Sequence, residues 1–427
     1  LELGTSIYLH IPFCVHRCAY CDFNTYAGQQ DSLPAYVDAL IREINFIGAR
    51  LPSPDFGRGA GGEGEVHTIF FGGGTPSLLS GPQVASVLDA LRGAFAFTGD
   101  LEATLEANPG TTSLEFLHQI REAGLNRLSF GVQSANPDEL RMLERAHDFF
   151  QVIESVKWAR QAGFDNLNLD LIYGLPEQTL ERWQNTVKRI LDLNPEHISM
   201  YALTLEHGTP FGRWSAKGLL PTPSPDLAAD MYEWADEFLS ANGFIQYEIS
   251  NWARNVERLM LNPSTRSGQA VQRSYECRHN LQYWRNLPYL GLGAGAHGYA
   301  NNIRYSNFLR IKTYIERLNT EHRSLNTEFP LTPVTVNHHR PTRREEMQET
   351  MLTGLRLTRE GVSDAAFRAR FGLGIAEAFP KEVEELIRLG LLEWNQKTSE
   401  SQRDSEVLRL TKHGRLLGNQ AFMRFVE

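Results

Sequence analysis

Three cysteines crowd into eight residues near the start of the chain, Cys14-Val-His-Arg-Cys18-Ala-Tyr-Cys21. This C-x3-C-x2-C run offers three thiolates from one loop, enough to wrap one face of an iron–sulfur cube. A [4Fe–4S] cluster fully ligated by protein needs four thiolates, so three leave one iron open to a non-protein ligand. A zinc site with His16 competes, although structural zinc sites usually pair two separated ligand couples. A disulfide framework is poorer, because three clustered cysteines leave an odd one.

The elements around these cysteines decide what the loop faces. Ser6–His10 reads as a strand, and Ile11-Pro-Phe-Cys14 turns out of it, so the thiols sit just past a strand's C-terminal end. Further strands are expected at Val66–Phe71, Leu101–Ala107, Arg127–Gln133, Asn166–Ile172 and His197–Leu203. Helical patterns fall between them at Pro34–Arg50, Pro82–Phe95, Ser113–Ala123, Phe149–Gln161 and Leu180–Leu191, with a sixth at Asp226–Ala241. Six β–α units imply a parallel sheet with crossover helices, either barrel-like or doubly wound. In the third strand Leu101, Ala103, Leu105 and Ala107 share one face, and Glu102, Thr104 and Glu106 the other. The fourth and fifth strands alternate in the same way. A parallel strand covered by helices on both sides would read as nearly continuous apolar sequence. The polar face therefore lines the inside of a curved sheet, as a reaction chamber or a wet surface.

These motifs resemble the radical S-adenosylmethionine (SAM) superfamily, in which SAM's methionine chelates the open iron. The wording His10-Ile-Pro-Phe-Cys14 and Tyr20-Cys21-Asp22-Phe23 is similar to the oxygen-independent coproporphyrinogen III oxidase group within it. The resemblance implies a partial (β/α)6 barrel, a [4Fe–4S] cluster on Cys14, Cys18 and Cys21, and a SAM pocket at the strand ends. Phe71-Gly-Gly-Gly-Thr-Pro-Ser77 resembles the family's GGGTP loop, which makes Gly73, Gly74 and Thr75 SAM contacts. Glu106 is implied as the partner of two ribose hydroxyls, and Arg145 as a cation for the SAM carboxylate. Tyr8, Tyr20, Gln133 and Asp170 match other positions of that pocket. Each has a plainer reading when taken singly: a helix-terminal anion for Glu106, a solvated charge for Arg145, a satisfied buried carboxylate for Asp170. Together they fall at or near successive strand C-termini, where barrel enzymes place their sites.

A later stretch, Cys277-Arg-His279-Asn280-Leu-Gln-Tyr283-Trp284, reads by itself as an aromatic core cluster. It resembles the HNxxYW motif of the radical-SAM heme chaperones, the HemW group. That resemblance implies heme as a third cofactor, with His279 as axial ligand and Asn280, Tyr283 and Trp284 beside the porphyrin. Neutral imidazole is a common ligand of heme iron. Leu290-Gly-Leu-Gly-Ala-Gly-Ala-His-Gly298 is similar to the same group. Cys277 reads better as a small buried side chain than as a second ligand.

The oxidases carry C-x3-C-x2-C-x-C, and Phe23 stands where their fourth cysteine belongs. They also have a longer leader than the thirteen residues here; the chain opens at Leu1 rather than Met, so residues are expected upstream and this difference weighs less. The reading favoured is a heme chaperone that passes heme to an acceptor hemoprotein. The alternative is an oxygen-independent coproporphyrinogen III oxidase, an oxidoreductase that decarboxylates propionates by radical chemistry.

Composition narrows the classes further. At 427 residues the chain exceeds what one core usually serves. The boundaries expected are 1–245 for the barrel, 246–342 for a connecting region with the heme motif, and 343–427 for a smaller α+β, winged-helix-like domain. Pro52–Glu65 and Asn255–Ser274 read as insertions and Ser324–Pro341 as a linker. A net charge of −9 and a pI near 5.9 argue against a nucleic-acid surface. No apolar run approaches the ~20 residues of a membrane span, so any membrane association is expected through a partner. Four cysteines, three of them clustered, fit a reducing, cytoplasmic setting.

Overall fold

The computed structural model describes residues 4–51, 65–221, 224–255, 274–320, 328–396 and 406–426. It divides into two compact units, one of residues 1–235 with 288–340 and one of 236–287 with 341–427. The stretch 246–342 is thus shared between them. Most of the expected insertions at 52–65 and 255–274 lies outside the described residues.

In the larger unit six strands run parallel: β1 (Thr5–Ile11), β2 (Val66–Gly73), β3 (Phe97–Ala107), β4 (Arg127–Gln133), β5 (Leu167–Tyr173) and β6 (His197–Ala202). They neighbour one another in chain order, as β–α crossovers require. The connecting helices include α1 (Leu33–Gly48), α2 (Gly81–Ala94), α3 (Leu114–Ala123), α4 (Pro137–Met142), α5 (Phe149–Gln161) and α6 (Leu180–Leu191). Their starts are written locally. Ser80 and Gln83 form a capping box on α2, and Asp148 and Gln151 one on α5.

Alternation along the strands sorts the core. Ile7, Leu9, Ile69, Phe71, Leu105, Leu128, Phe130, Leu169 and Leu171 are buried on the helix-covered side. The opposite face is polar and also buried: Thr68, Thr104, Arg127, Ser129, Asn168, His197 and Ser199 are each at most 5% exposed. These side chains fill part of that face, and several of them pair with one another, while Tyr8, Glu106, Gln133 and Asp170 farther along it stay partly exposed. Asn168 Nδ2 donates to Ser129 Oγ at 2.7 Å and to Asp170 Oδ1 at 2.8 Å, while its Oδ1 meets His197 Nδ1 at 2.6 Å. Most buried polar groups are paired in this way.

β1 is flanked on its other edge by β7 (Tyr289–Leu292), also parallel, with Ser6 opposite Tyr289. From there the sheet continues antiparallel through β8 (His297–Ala300), β9 (Ile303–Asn307) and β10 (Thr335–His339). The segment expected as a linker, 324–341, therefore contains the strand β10. Its polar residues hid it: β10 is largely exposed, so no burial pattern marks it.

The smaller unit holds an antiparallel hairpin of Phe244–Glu248 and Asn251–Arg254, and the helix Arg278–Trp284. After Arg343 come the helices Arg343–Gly354, Asp364–Phe371 and Pro380–Arg388 and a three-stranded sheet of Val362–Ser363, Leu392–Gln396 and Glu406–Leu410. Met351, Phe367, Phe379, Leu386, Leu408 and Phe425 build its core.

Candidate functional site

The cysteines lie on a loop that its neighbours hold from several sides. Cys14 closes a two-residue parallel ladder, Phe13–Cys14 against Tyr26–Ala27. Gln30 Nε2 donates to the Cys14 carbonyl oxygen at 2.8 Å. The N–H groups of Gly74 and Thr75 donate to Ile11 O and Phe13 O at 2.9 and 2.7 Å, so the glycine loop zips onto the run leading to Cys14. A side chain at Gly74 would sit 2.6 Å from Phe13 O, and one at Gly73, where φ is +107°, 2.5 Å from the His10 ring. Only glycine allows that approach.

His10 is the hinge of this arrangement. Its Nε2–H donates to Asn24 O at 3.0 Å, so its Nδ1 is the acceptor for the Tyr8 hydroxyl at 3.0 Å. Burial lowers its pKa, which keeps it in this neutral form. Asn24 in turn donates to Ala294 O and Leu309 O, and the Tyr36 hydroxyl donates to His10 O at 2.6 Å. His16, the fourth member of a zinc reading, is exposed and paired with Glu144 at 3.0 Å. Among the described residues, no three His, Cys, Asp or Glu side chains gather as ligands of a single metal ion.

The thiols receive donors; Cys21 Sγ lies 3.9 Å from the Thr25 hydroxyl. Thr75 Oγ1 donates to Cys14 Sγ at 3.6 Å, and Arg145 Nη1 to Cys18 Sγ at 3.5 Å. Burial raises the Cys14 and Cys21 thiols, so loading metal there must expel protons. Arg145 reaches inward because the chain leaves α4 through Glu144 at φ +54°. Its Nη2 donates to Asn108 Oδ1 and, at 2.7 Å, to Gly131 O, while its buried Nε has no partner. Tyr20 lies beside it, packed near Phe211.

Glu106 ends β3 with Oε2 accepting from the Gly73 N–H at 3.1 Å. Burial and then the Asp170 carboxylate push its pKa up to about 8. Asp170 is raised by burial, against donors from Asn168, Ser129 and Ser199. Gln133 closes β4 at φ +70°, beyond a register shift after Gly131. Tyr8, Tyr20, Gly73, Gly74, Thr75, Glu106, Gln133, Arg145 and Asp170 thus all belong to the larger unit, on β1 to β5 or the loops that follow them. Asn108 was not singled out by sequence reasoning; a lone amide in Ala107-Asn-Pro-Gly110 reads as turn chemistry.

The residues of the HNxxYW motif lie in the smaller unit. His279 is 1% exposed, with Nε2 2.8 Å from the Tyr283 hydroxyl one helical turn on and the two rings edge to face. Asn280, Tyr283 and Trp284 are half-buried. Arg356 stacks over the Trp284 ring at 4.4 Å, and the indole Nε1 is buried without a partner. Cys277 is fully buried, as a small side chain would be.

The radical SAM superfamily profile matches residues 8–190 and that of the HemN C-terminal domain residues 342–417. The heme chaperone HemW of Bacillus subtilis is 37% identical over 422 residues, 99% of each chain. The chain belongs to the HemW family. The Escherichia coli heme chaperone HemW is 39% identical over 295 residues, 69% of each chain. The solved structure of coproporphyrinogen III oxidase (HemN) from Escherichia coli, described as a radical SAM enzyme, superposes with a TM-score of 0.74 at 25% identity. That match covers 99% of this chain and 90% of the oxidase. The radical SAM fold read from the sequence is therefore the observed one. Membership implies a [4Fe–4S] cluster and SAM. The residues fit such groups: three thiols on one loop, side-chain donors onto them, and a buried cation with an unused N–H. No helix among the described residues is long and apolar enough to cross a membrane.

Proposed function

We propose that this chain is a heme chaperone that binds heme in its smaller unit and passes it to an acceptor hemoprotein in the cytoplasm. The observation that carries this reading is the likeness to heme chaperones along 99% of the chain. His279 supplies the axial imidazole, with Asn280, Tyr283 and Trp284 beside the macrocycle. Because His279 Nε2 already meets the Tyr283 hydroxyl, an iron approaching that nitrogen must displace it.

In the larger unit Cys14, Cys18 and Cys21 hold the cluster. Gly73, Gly74 and Thr75 line the SAM methionine, Glu106 accepts from its ribose, and Arg145 presents its free Nε–H to the carboxylate. Tyr8, Tyr20, Gln133 and Asp170 complete that pocket. When bound, cluster and SAM supply one-electron chemistry. The chain's own part is to orient them and to exclude water behind the buried polar layer. Phe23, 65% exposed where the oxidases carry a cysteine, weighs against the oxidase reading.

The test is an anaerobic heme titration of the wild type and His279→Ala, followed by visible absorbance. A saturable one-to-one complex that weakens sharply in the variant is expected. Absence of a specific wild-type complex, with coproporphyrinogen turnover under the same conditions, would replace the chaperone with the oxidase.

A further inference from the structure

Two of the donors onto the thiols, those of Arg145 and Thr75, belong to one connected unit. Arg145 Nη1 donates to Cys18 Sγ at 3.5 Å, and its Nη2 donates to Asn108 Oδ1. Asn108 Nδ2 donates to Thr75 Oγ1 at 3.1 Å, and Thr75 Oγ1 donates to Cys14 Sγ at 3.6 Å. The path runs from one cysteine to another through three loops: the one after α4, the one after β3 and the glycine loop after β2.

Donor chemistry fixes the direction of every step. A guanidinium has donors and no acceptor. Arg145 must therefore face the amide oxygen of Asn108, which settles the side-chain orientation and turns its NH2 toward Thr75. A hydroxyl has a single hydrogen; with Asn108 donating into its oxygen, that hydrogen is left to point at Cys14 Sγ. The Asn108 backbone N–H, bonded to Ser77 Oγ at 3.3 Å, anchors the residue on the far side.

We infer that Asn108 is a positioning residue for the iron–sulfur cluster: it clamps Arg145 and Thr75 so that both donate to the cluster thiolates, and so raises the cluster's reduction potential. The inference rests on the cluster assignment proposed above. Hydrogen bonds to the sulfurs, and a positive charge beside them, favour the reduced and more negative form. Removing Asn108 frees the Thr75 hydroxyl to turn away and leaves Arg145 Nη2 held by the Gly131 carbonyl oxygen alone. Both changes lower the potential. A residue that only filled space would leave the potential where it was.

The experiment reconstitutes wild type, Asn108→Ala, Thr75→Val and the double variant with ferrous iron and sulfide under anaerobic conditions. Iron and sulfide are counted, and the potential is read by electron paramagnetic resonance during a dithionite titration without SAM. The expected result is a full cluster in Asn108→Ala with a potential more negative than wild type. The shifts of Asn108→Ala and Thr75→Val should sum to more than the double variant shows, because one residue acts through the other. Full occupancy with the wild-type potential and signal in Asn108→Ala would overturn the inference. Failure of the wild type to hold a cluster would overturn the assignment beneath it, a distinguishable outcome. Should Asn108→Ala not fold, Thr75→Val removes the donor to Cys14 at the end of the path without adding a charge. Its potential is expected below wild type, and an unchanged value would overturn the inference equally.

Discussion

His10 Nε2 donates to the carbonyl oxygen of Asn24 at 3.0 Å, joining the end of β1 to the far side of the cysteine loop. One neutral imidazole thus fixes where the loop begins and where it returns, and its ring face abuts Gly73. His10→Ala should leave the fold in place and lower the iron retained after reconstitution. His10→Gln, which can still donate from a similar reach, should retain more. Equal iron content in all three proteins would show that the loop needs no such tie.

Glu43 of α1 is fully buried and accepts four hydrogen bonds. They come from the Gly293 N–H at 2.8 Å, Asn307 Nδ2 at 2.8 Å, the Tyr314 hydroxyl at 2.6 Å and the Thr332 hydroxyl at 3.2 Å. Burial nevertheless raises its pKa from 4.5 to about 7. Between those values the folded chain holds a proton that the unfolded chain has released, so stability falls as pH rises through that window and levels off above it. The shift corresponds to roughly 3 kcal/mol as an order of magnitude. Glu43→Gln should flatten this slope in urea unfolding. It should also cost about 1–3 kcal/mol at neutral pH, since an amide nitrogen would face a donor. A slope identical to wild type would mean that Glu43 is charged throughout.

Glu106 carries a second pH dependence, on ligand affinity. With its pKa near 8 the free carboxyl is mostly protonated at neutral pH. As the proposed acceptor of two ribose hydroxyls it works best as the anion. SAM affinity of the reconstituted protein should therefore strengthen from pH 7 to pH 9. Glu106→Gln should weaken it by about ten- to a hundred-fold, the range for hydrogen bonds to a charged group, and remove the pH trend. Calorimetric titration at three pH values decides it.

At the heme motif the contact between His279 and Tyr283 makes a directional statement. Tyr283→Phe removes the hydroxyl that occupies Nε2 and keeps the ring. If iron takes that nitrogen, heme association by stopped-flow absorbance should speed up in Tyr283→Phe and fail in His279→Ala. Slower association in Tyr283→Phe would assign the hydroxyl to heme recognition instead.

The barrel was legible because its strands alternate and its helices carry caps. β4 begins and ends at Arg127 and Gln133 as read from the sequence, and α5 and α6 keep their boundaries. The polar alternation of Ser129, Asn168 and Asp170 was equally legible, but what fills that face was not. Whether such a face holds water or a closed hydrogen-bond network depends on partners across strands. β10 escaped because an exposed edge strand needs no apolar side chains. Asn108 escaped for a different reason: its meaning lies in Arg145 and Thr75, which the chain brings to it from 37 and 33 residues away.

The tie between Glu43 and Thr332 spans 289 positions of sequence, and that between Asn24 and Leu309 spans 285. The backing that holds the cysteine loop is thus translated some 285 residues after the loop itself. A ribosome adds about 5–20 residues per second, so the loop waits roughly 15 seconds or more without its support. Iron supplied during that interval meets an unfinished nest. Cluster insertion in this chain should therefore follow translation of residues 288–340, and truncations before residue 288 should yield colourless protein however early their cysteines were made.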